Sequence, residues 1–161
     1  PMAKPLPLLR EATDDDAQAL AGLIALTWAA YPGTVLDVAG EEPWLLAPRT
    51  SYDAAGGRLW VATVSSSVVG CGGVRPRGSD AELKSLYVAA AHRRVGIASR
   101  LVDVIERTAR SWGAARVGLW SDTRFVEAHA FYARRGYVAS DATRELHDRS
   151  ATVEREFVKR L

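Results

Sequence analysis

The sequence predicts an α+β (α/β) fold in one domain over residues 1–161, with a mixed, mostly antiparallel central sheet of six to seven strands flanked by about four helices. Three observations carry this prediction. Short runs of strand composition alternate with turns between residues 58 and 88. The apolar period then switches to that of a helix after residue 96. The chain has 161 residues, 48% apolar and 25% charged, which suits one packed core and not a disordered segment.

The elements follow in order. Leu6–Glu11 reads as a first short strand. Thr13-Asp14-Asp15-Asp16 then opens a helix: Thr13 can cap free N–H groups, and the acids complement the positive helix end. Leu20, Leu23, Ile24, Thr27, Trp28 and Tyr31 continue it at helical spacing until Pro32-Gly33. Asp37–Leu46 reads as a second short helix that Pro43 and Pro48 interrupt, a segment to cover an acceptor site, or else as a loop. Arg58–Val64, Val68–Arg75 and Ala81–Val88 form an antiparallel meander, turned at Ser65-Ser66-Ser67 and at Pro76-Arg77-Gly78-Ser79. Gly96–Trp112 is a strong helix with Ile97, Leu101, Val104, Ile105, Thr108 and Trp112 on one face, stopped by Gly113. Arg116–Ser121 is a strand. Asp122-Thr123 can cap a helix over Phe125–Arg135 that Gly136 ends, and Tyr137–Ala139 and Thr152–Lys159 are the last strands.

Composition excludes several functions. The apolar stretch Ala17–Tyr31 is broken by Gln18, Gly22 and Thr27 and is too short for a bilayer, so no membrane partner is expected. Pro1-Met2-Ala3-Lys4-Pro5 lacks the apolar region of a signal peptide, and a cytoplasmic location is the expectation. Cys71 is the one cysteine, and His92, His129 and His147 have no metal-ligand spacing; no metal site is expected. Residues 1–80 carry a net charge of −3 and residues 81–161 a net +5. A small polyanionic ligand or nucleic acid would each suit a basic half. Nucleic acid is discounted, because the arginines are scattered among acids and no nucleic-acid-binding motif is present.

The junction of strand and helix at Arg93-Arg94-Val95-Gly96-Ile97-Ala98 is the informative segment. Gly96 lets a ligand approach the backbone, and Ala98 is small. The first N–H groups of the helix lack intrahelical partners, and the helix dipole stands behind them, so the corner suits phosphate oxygens. Arg93 and Arg94 can add charge-assisted contacts. The Gly-Lys-Ser/Thr ending of a P-loop is absent, and so are two of the three glycines of a dinucleotide fingerprint.

Val88 through Leu101, read as V-x-x-x-x-R-x-x-G-I-A-x-x-L, resembles motif A of the GNAT superfamily of acyl-CoA-dependent N-acetyltransferases. Ala128-His129-Ala130-Phe131-Tyr132-Ala133-Arg134-Arg135-Gly136-Tyr137 is similar to its motif B, A-x-x-x-Y-x-x-x-G-[FY]. Ala90, Ala98 and Phe125 depart from the residues the family often has there. The resemblance covers nearly the whole chain and implies the GNAT fold. It also implies an acyl-donor cosubstrate, acetyl-CoA. The exposed backbone of Leu86, Tyr87 and Val88 would pair with the pantetheine arm. Arg93, Arg94, Val95, Gly96, Ile97, Ala98 and Ser99 would hold the pyrophosphate. Phe125, Ala128, Phe131 and Tyr132 would lie toward the pantetheine and thiol.

Acetyl transfer to an amine needs deprotonation of an ammonium ion, donors for an oxyanion, and a proton or donor for the departing thiolate. The family attacks directly, so Cys71 is expected as core packing and not as a nucleophile. Glu82, eleven residues before Arg93, is similar in offset to the catalytic glutamate of the family's histone-acetyltransferase branch, and the resemblance implies a base in a half-buried cleft that would raise its pKa; a solvent-facing strand glutamate and a substrate-orienting carboxylate are the alternatives. Tyr132 is the expected acid, and the Val88 N–H the expected oxyanion donor. The acceptor is expected to be a primary amine on a small molecule or peptide, contacted by residues 28–56 and by a C-terminal loop over 140–151. Transfer of a longer acyl group and a non-catalytic acyl-CoA-binding sensor are the rival readings. The resemblance allows a homodimer, which nothing in the sequence fixes.

Overall fold

Strand period decides the layout. In β2 (Arg58–Val64), Leu59 and Val61 join one apolar cluster, while Trp60 and Ala62 join another on the opposite face of the sheet. A strand covered on both faces needs two helical layers, and the chain supplies them. The structure, a computed structural model, describes residues 5–161. Pro1–Lys4, read above for a signal peptide, lie outside the described residues.

The remaining strands are β1 (Leu8–Glu11), β3 (Ser67–Arg77), β4 (Asp80–Val88), β5 (Arg116–Asp122), β6 (Val138–Glu145) and β7 (Val153–Arg160). They form one seven-stranded sheet in the order β1-β2-β3-β4-β5-β7-β6. Every neighbouring pair is antiparallel except β4 and β5, which are parallel. A parallel pair needs a crossover, and α3 (Ile97–Ser111) is that crossover. It lays Ile97, Leu101, Val102, Ile105 and Ala109 against Trp60, Val74 and Val117. Burying each of the larger side chains contributes about 1.5–3 kcal/mol. α4 (Val126–Arg134) adds Tyr132 to the same layer. On the other face, α1 (Ala17–Ala29) and α2 (Pro48–Ala54) bring Leu20, Leu23, Ile24 and Tyr52 onto Leu59, Val61 and Cys71.

The mixed sheet and four α-helices agree with the expected α+β fold. Three elements differ from their expected form. No helix spans Asp37–Leu46. Asp37 instead builds a turn, its carboxylate accepting the Gly40 N–H at 3.0 Å and its carbonyl accepting from Glu41 and Glu42 at 2.9 Å each. Only Pro43–Leu46 winds, as a 3₁₀ turn. The second α-helix begins on Pro48, because a proline N–H is not missed in a first turn. The strand expected at Tyr137–Ala139 runs on to Glu145. Its register with β7 shifts between Ala139 and Thr143, and a bulge hides the period of two from a sequence reading. Smaller differences fall at element ends: the first strand starts at Leu8, and a 3₁₀ turn at Asp14–Asp16 precedes α1.

Candidate active site

The site is a wedge between β4 and β5. These strands pair only at Ala81↔Val117 and Glu82↔Gly118, while β5 stays paired with β7 as far as Asp122. From Leu83 onward β4 leaves its neighbour. The cause is a bulge: the β3–β4 register shifts between Cys71 and Gly73, and Ser85 sits at φ +57°. A bulge bends its strand and increases the twist. Two groups hold this one. The Tyr52 hydroxyl donates to Ser85 Oγ at 2.9 Å, and the Cys71 thiol donates to the Ser85 carbonyl at 3.0 Å. Burial pushes the Cys71 thiol up to about 12, so it stays a thiol and packs as a small apolar group.

Past the bulge, the edge of β4 opens into the wedge. Ala89 N–H donates to Val69 O at 2.8 Å, which makes that a hydrogen-bonded pair. Hydrogen-bonded and non-hydrogen-bonded pairs alternate along an antiparallel ladder, so Val88, opposite Gly70, turns its N–H and carbonyl the other way. The Val88 carbonyl accepts Arg93 Nε at 3.1 Å. Arg93 also lies 3.6 Å from Glu127, at the start of α4. Arg93 therefore ties the loop to the strand end and to α4.

The loop before α3 contains two left-handed residues, Arg94 at φ +62° and Gly96 at φ +84°. The first bond of the helix runs from Arg100 N–H to Gly96 O at 3.0 Å, so the N–H groups of Ile97, Ala98 and Ser99 precede the ladder. The Ile97 side chain is buried in the core, and only its backbone faces the corner. Arg94 and Val95 are exposed.

Two adjoining cavities occupy the wedge. The smaller, about 140 Å³, is lined by Leu86 and Tyr87 of β4, Ser121 of β5, and Phe125, Ala128 and Tyr132. The larger, about 400 Å³, extends toward α1 and α2 past Tyr52, Arg75 and Glu82. Trp28, Glu42, Lys84, Tyr87 and Trp120 line both. Phe131 lines neither; its ring packs on Tyr132 at 5.6 Å between centroids. The Tyr132 hydroxyl makes no hydrogen bond with another described residue, and burial pushes its ionisation upward. Tyr132, the expected acid, lines the smaller cavity, and Glu82, the expected base, lines the larger.

The half-buried cleft expected for Glu82 is a cluster of charges. Glu82 is buried, with Arg75 at 3.1 Å, Lys84 at 3.5 Å and Arg77 at 3.9 Å. Sequence reading missed Glu42, whose Oε2 accepts the Trp44 indole N–H at 2.7 Å, and Trp120, whose ring lies under the Arg144 guanidinium at 4.3 Å. These residues sit in segments without a motif, and only the tertiary fold gathers them. The expected C-terminal loop is strand up to Glu145. The rest of it is stitched to the segment after α1: Ser150 Oγ bonds the Val35 N–H at 2.7 Å, and Arg149 N–H bonds Glu41 at 2.7 Å.

The family model described as the acetyltransferase (GNAT) family matches residues 20–137. Uncharacterized N-acetyltransferases of Mycobacterium bovis and Mycobacterium tuberculosis are each 34% identical over 64 residues, 40% of this chain and 41% of theirs. The match thus spans less than half the length of those relatives. Among solved structures, an acetyltransferase of the GNAT family from Staphylococcus aureus superimposes with a TM-score of 0.83 at 20% identity, over 97% of this chain and 99% of that one. An acetyltransferase from Streptococcus agalactiae gives 0.81 at 21% identity, over 96% and 98%. The PaiA N-acetyltransferase of Thermoplasma acidophilum, in complex with coenzyme A, gives 0.73 at 16% identity, over 97% and 99%. No helix among the described residues is long and apolar enough to cross a membrane.

Proposed function

The chain belongs to the acetyltransferase (GNAT) family, and from that premise we propose that it forms one cytoplasmic domain that moves an acetyl group from acetyl-CoA to a primary amine by direct attack. The observation that carries this reading is the wedge itself. Three features support it: the β4 edge that turns outward at Val88, the left-handed Gly96 ahead of the unpaired N–H groups of α3, and Tyr132 in the lining of the smaller cavity. The fit to an acyl-CoA rests on two features. The N–H groups of Ile97, Ala98 and Ser99 suit phosphate oxygens, and Arg94 adds charge beside them. The free edge of Leu86–Val88 suits an amide-bearing chain laid alongside like an added strand.

In this reading acetyl-CoA supplies the activated acetyl group. The Val88 N–H donates to the carbonyl oxygen that gains charge during attack. Tyr132 donates a proton to the departing sulfur. Phe125 and Ala128 border the thiol end, and Phe131 supports the Tyr132 ring from behind. Glu82 holds Arg75 and Lys84 in the acceptor-side cavity; we assign it the orienting role and not that of base. The PaiA protein in complex with coenzyme A, alike in fold, supports the choice of cosubstrate.

The test is an acceptor screen with acetyl-CoA and a thiol-release readout, run beside thermal melts. Acetyl-CoA at 100 times its Kd stabilises the folded state by about 2.7 kcal/mol, which raises Tm by several degrees. Thiol release with at least one primary amine is the expected result. A Tm shift with no turnover would favour the acyl-CoA sensor, and no shift at millimolar acetyl-CoA would remove the cosubstrate assignment.

A further inference from the structure

An acceptor amine arrives as an ammonium ion, and some group must take its proton before attack. That group should be a carboxylate reaching both the acceptor-side cavity and the one that Tyr132 lines. Its oxygens should not already be held by cations.

Six carboxylates line the two cavities, and three of them are held by cations. Glu82 has its three cations. Glu154 pairs with Arg144 at 2.7 Å, and Asp122 with Arg124 at 2.7 Å. Asp148 accepts from the Thr152 N–H at 2.7 Å and hydroxyl at 2.6 Å, and Glu41 from the Arg149 backbone N–H at 2.7 Å, and each of these two lines one cavity only. Glu42 differs. Its one hydrogen-bond donor among the described residues is the neutral Trp44 indole, on Oε2, and no cation lies within ion-pair distance. It also lines both cavities, which Glu82 does not.

We propose that Glu42 is the proton acceptor for the substrate ammonium, an inference that rests on the acetyl-transfer reading above. The surroundings agree. Burial pushes the Glu42 carboxyl upward, and Glu41 beside it and Asp148 from the segment before β7 add to the rise; the Trp44 hydrogen bond and the Lys84 charge on β4 oppose it. The other titratable groups are Tyr87 and Glu154, which line both cavities, with Asp122, Arg124 and Tyr132 on the smaller one and Tyr52, Arg75, Glu82 and Arg144 on the larger. A carboxyl moved upward is better matched to proton transfer near neutral pH.

The step balances as follows. One proton passes from the ammonium to Glu42 and on to solvent. The freed nitrogen bonds the acetyl carbonyl carbon, and the carbon–sulfur bond breaks. Sulfur leaves with the electron pair. The second nitrogen proton replaces the one that Tyr132 gives to sulfur. The products are an amide, the CoA thiol and one proton.

The test uses the whole chain, acetyl-CoA and the best amine from the screen. Glu42→Gln is expected to lower kcat/KM at pH 7 by about 10²- to 10³-fold. The loss should shrink as pH approaches the pKa of the amine, with acetyl-CoA affinity by calorimetry unchanged within about twofold. Trp44→Phe removes the hydrogen bond that favours the carboxylate, so the acidic limb of kcat/KM should move to higher pH. This readout does not depend on the Glu42 variant folding. A Glu42→Gln profile parallel to the wild type at every pH, or a Trp44→Phe limb that stays in place, would overturn the proton-acceptor role and leave the acetyl-transfer reading intact. Wild-type protein that binds acetyl-CoA and acetylates no amine would overturn that reading, and this inference with it.

Discussion

Tyr52 and Ser85 meet hydroxyl to hydroxyl at 2.9 Å, 33 residues apart in the chain, and this contact holds the β4 bulge that opens the wedge. Gly73 makes it possible, since a Cβ there would overlap the Tyr52 ring. Tyr52→Phe should therefore cost about 1 kcal/mol, one net hydrogen bond. Gly73→Ala should cost more, roughly 1–3 kcal/mol, because the ring and strand must shift. Urea melts of the two variants give the ranking. Equal stability of Gly73→Ala and wild type would mean that the packing beneath Ser85 is slack.

Gly96 is required by its backbone. At φ +84° any Cβ is strained, although one built there meets no atom within 4 Å. Gly96→Ala should lose about 1–2 kcal/mol of stability and keep measurable CoA affinity. Gly96→Glu should lose the same stability and, in the proposed cofactor mode, also weaken CoA binding by more than about 100-fold, because a carboxylate would face the phosphates. Calorimetry on both variants separates strain from charge. Equal affinity in the two would place the pyrophosphate elsewhere.

Asp16 links the fold to pH. Its oxygens accept two hydrogen bonds from Arg10, both at 2.8 Å, and the Thr13 N–H at 2.8 Å. The Arg10 hydrogen bonds hold its carboxyl below the usual range, with burial opposing. A depressed folded pKa means that this stability is fully present above the unfolded value near ~4 and is lost as pH falls through the folded value. Asp16→Asn should cost roughly 1–3 kcal/mol at pH 7. Thermal melts between pH 7 and pH 2 should show the gap from wild type closing as the solution is acidified. A gap independent of pH would make Asp16 a purely steric cap.

What the sequence disclosed and what it hid divide along one physical line. Local signals were legible. The stop at Gly113, the helix face of Leu101 and Ile105, and the Arg93–Ser99 corner all depend on residues within a few turns of one another. The wedge was not legible from the residues, because it arises from a bulge at Ser85 held by Tyr52 and Cys71 from other elements. Glu42 and Trp44 escaped for the same reason. Lys84 and Asp148, whose charges act on Glu42, are distant from it in sequence, and Pro43 and Pro48 begin a 3₁₀ turn and α2 where an interrupted helix was expected. Glu82 is legible as a residue of β4, yet its cations Arg75 and Arg77 come from β3, where the register sets Arg75 opposite it and Arg77, opposite Asp80, on the diagonal.

Tyr132→Phe tests the chemistry most narrowly. The ring packs on Tyr137 at 5.8 Å and Phe157 at 5.9 Å between centroids, and phenylalanine keeps both contacts. The hydroxyl bonds no other described residue, so its removal strands no partner and Tm should move by no more than about 2 °C. In the proposed mechanism, what goes is a donor toward the departing sulfur. A thiolate is a fair leaving group, since a free thiol has a pKa near ~8.5, so the donor is worth only about 10- to 100-fold in kcat. The acetyl-CoA KM should stay put, because the hydroxyl matters mainly in the transition state. An unchanged kcat, with chemistry shown to be rate-limiting by pre-steady-state thiol release, would leave Tyr132 with its packing role alone.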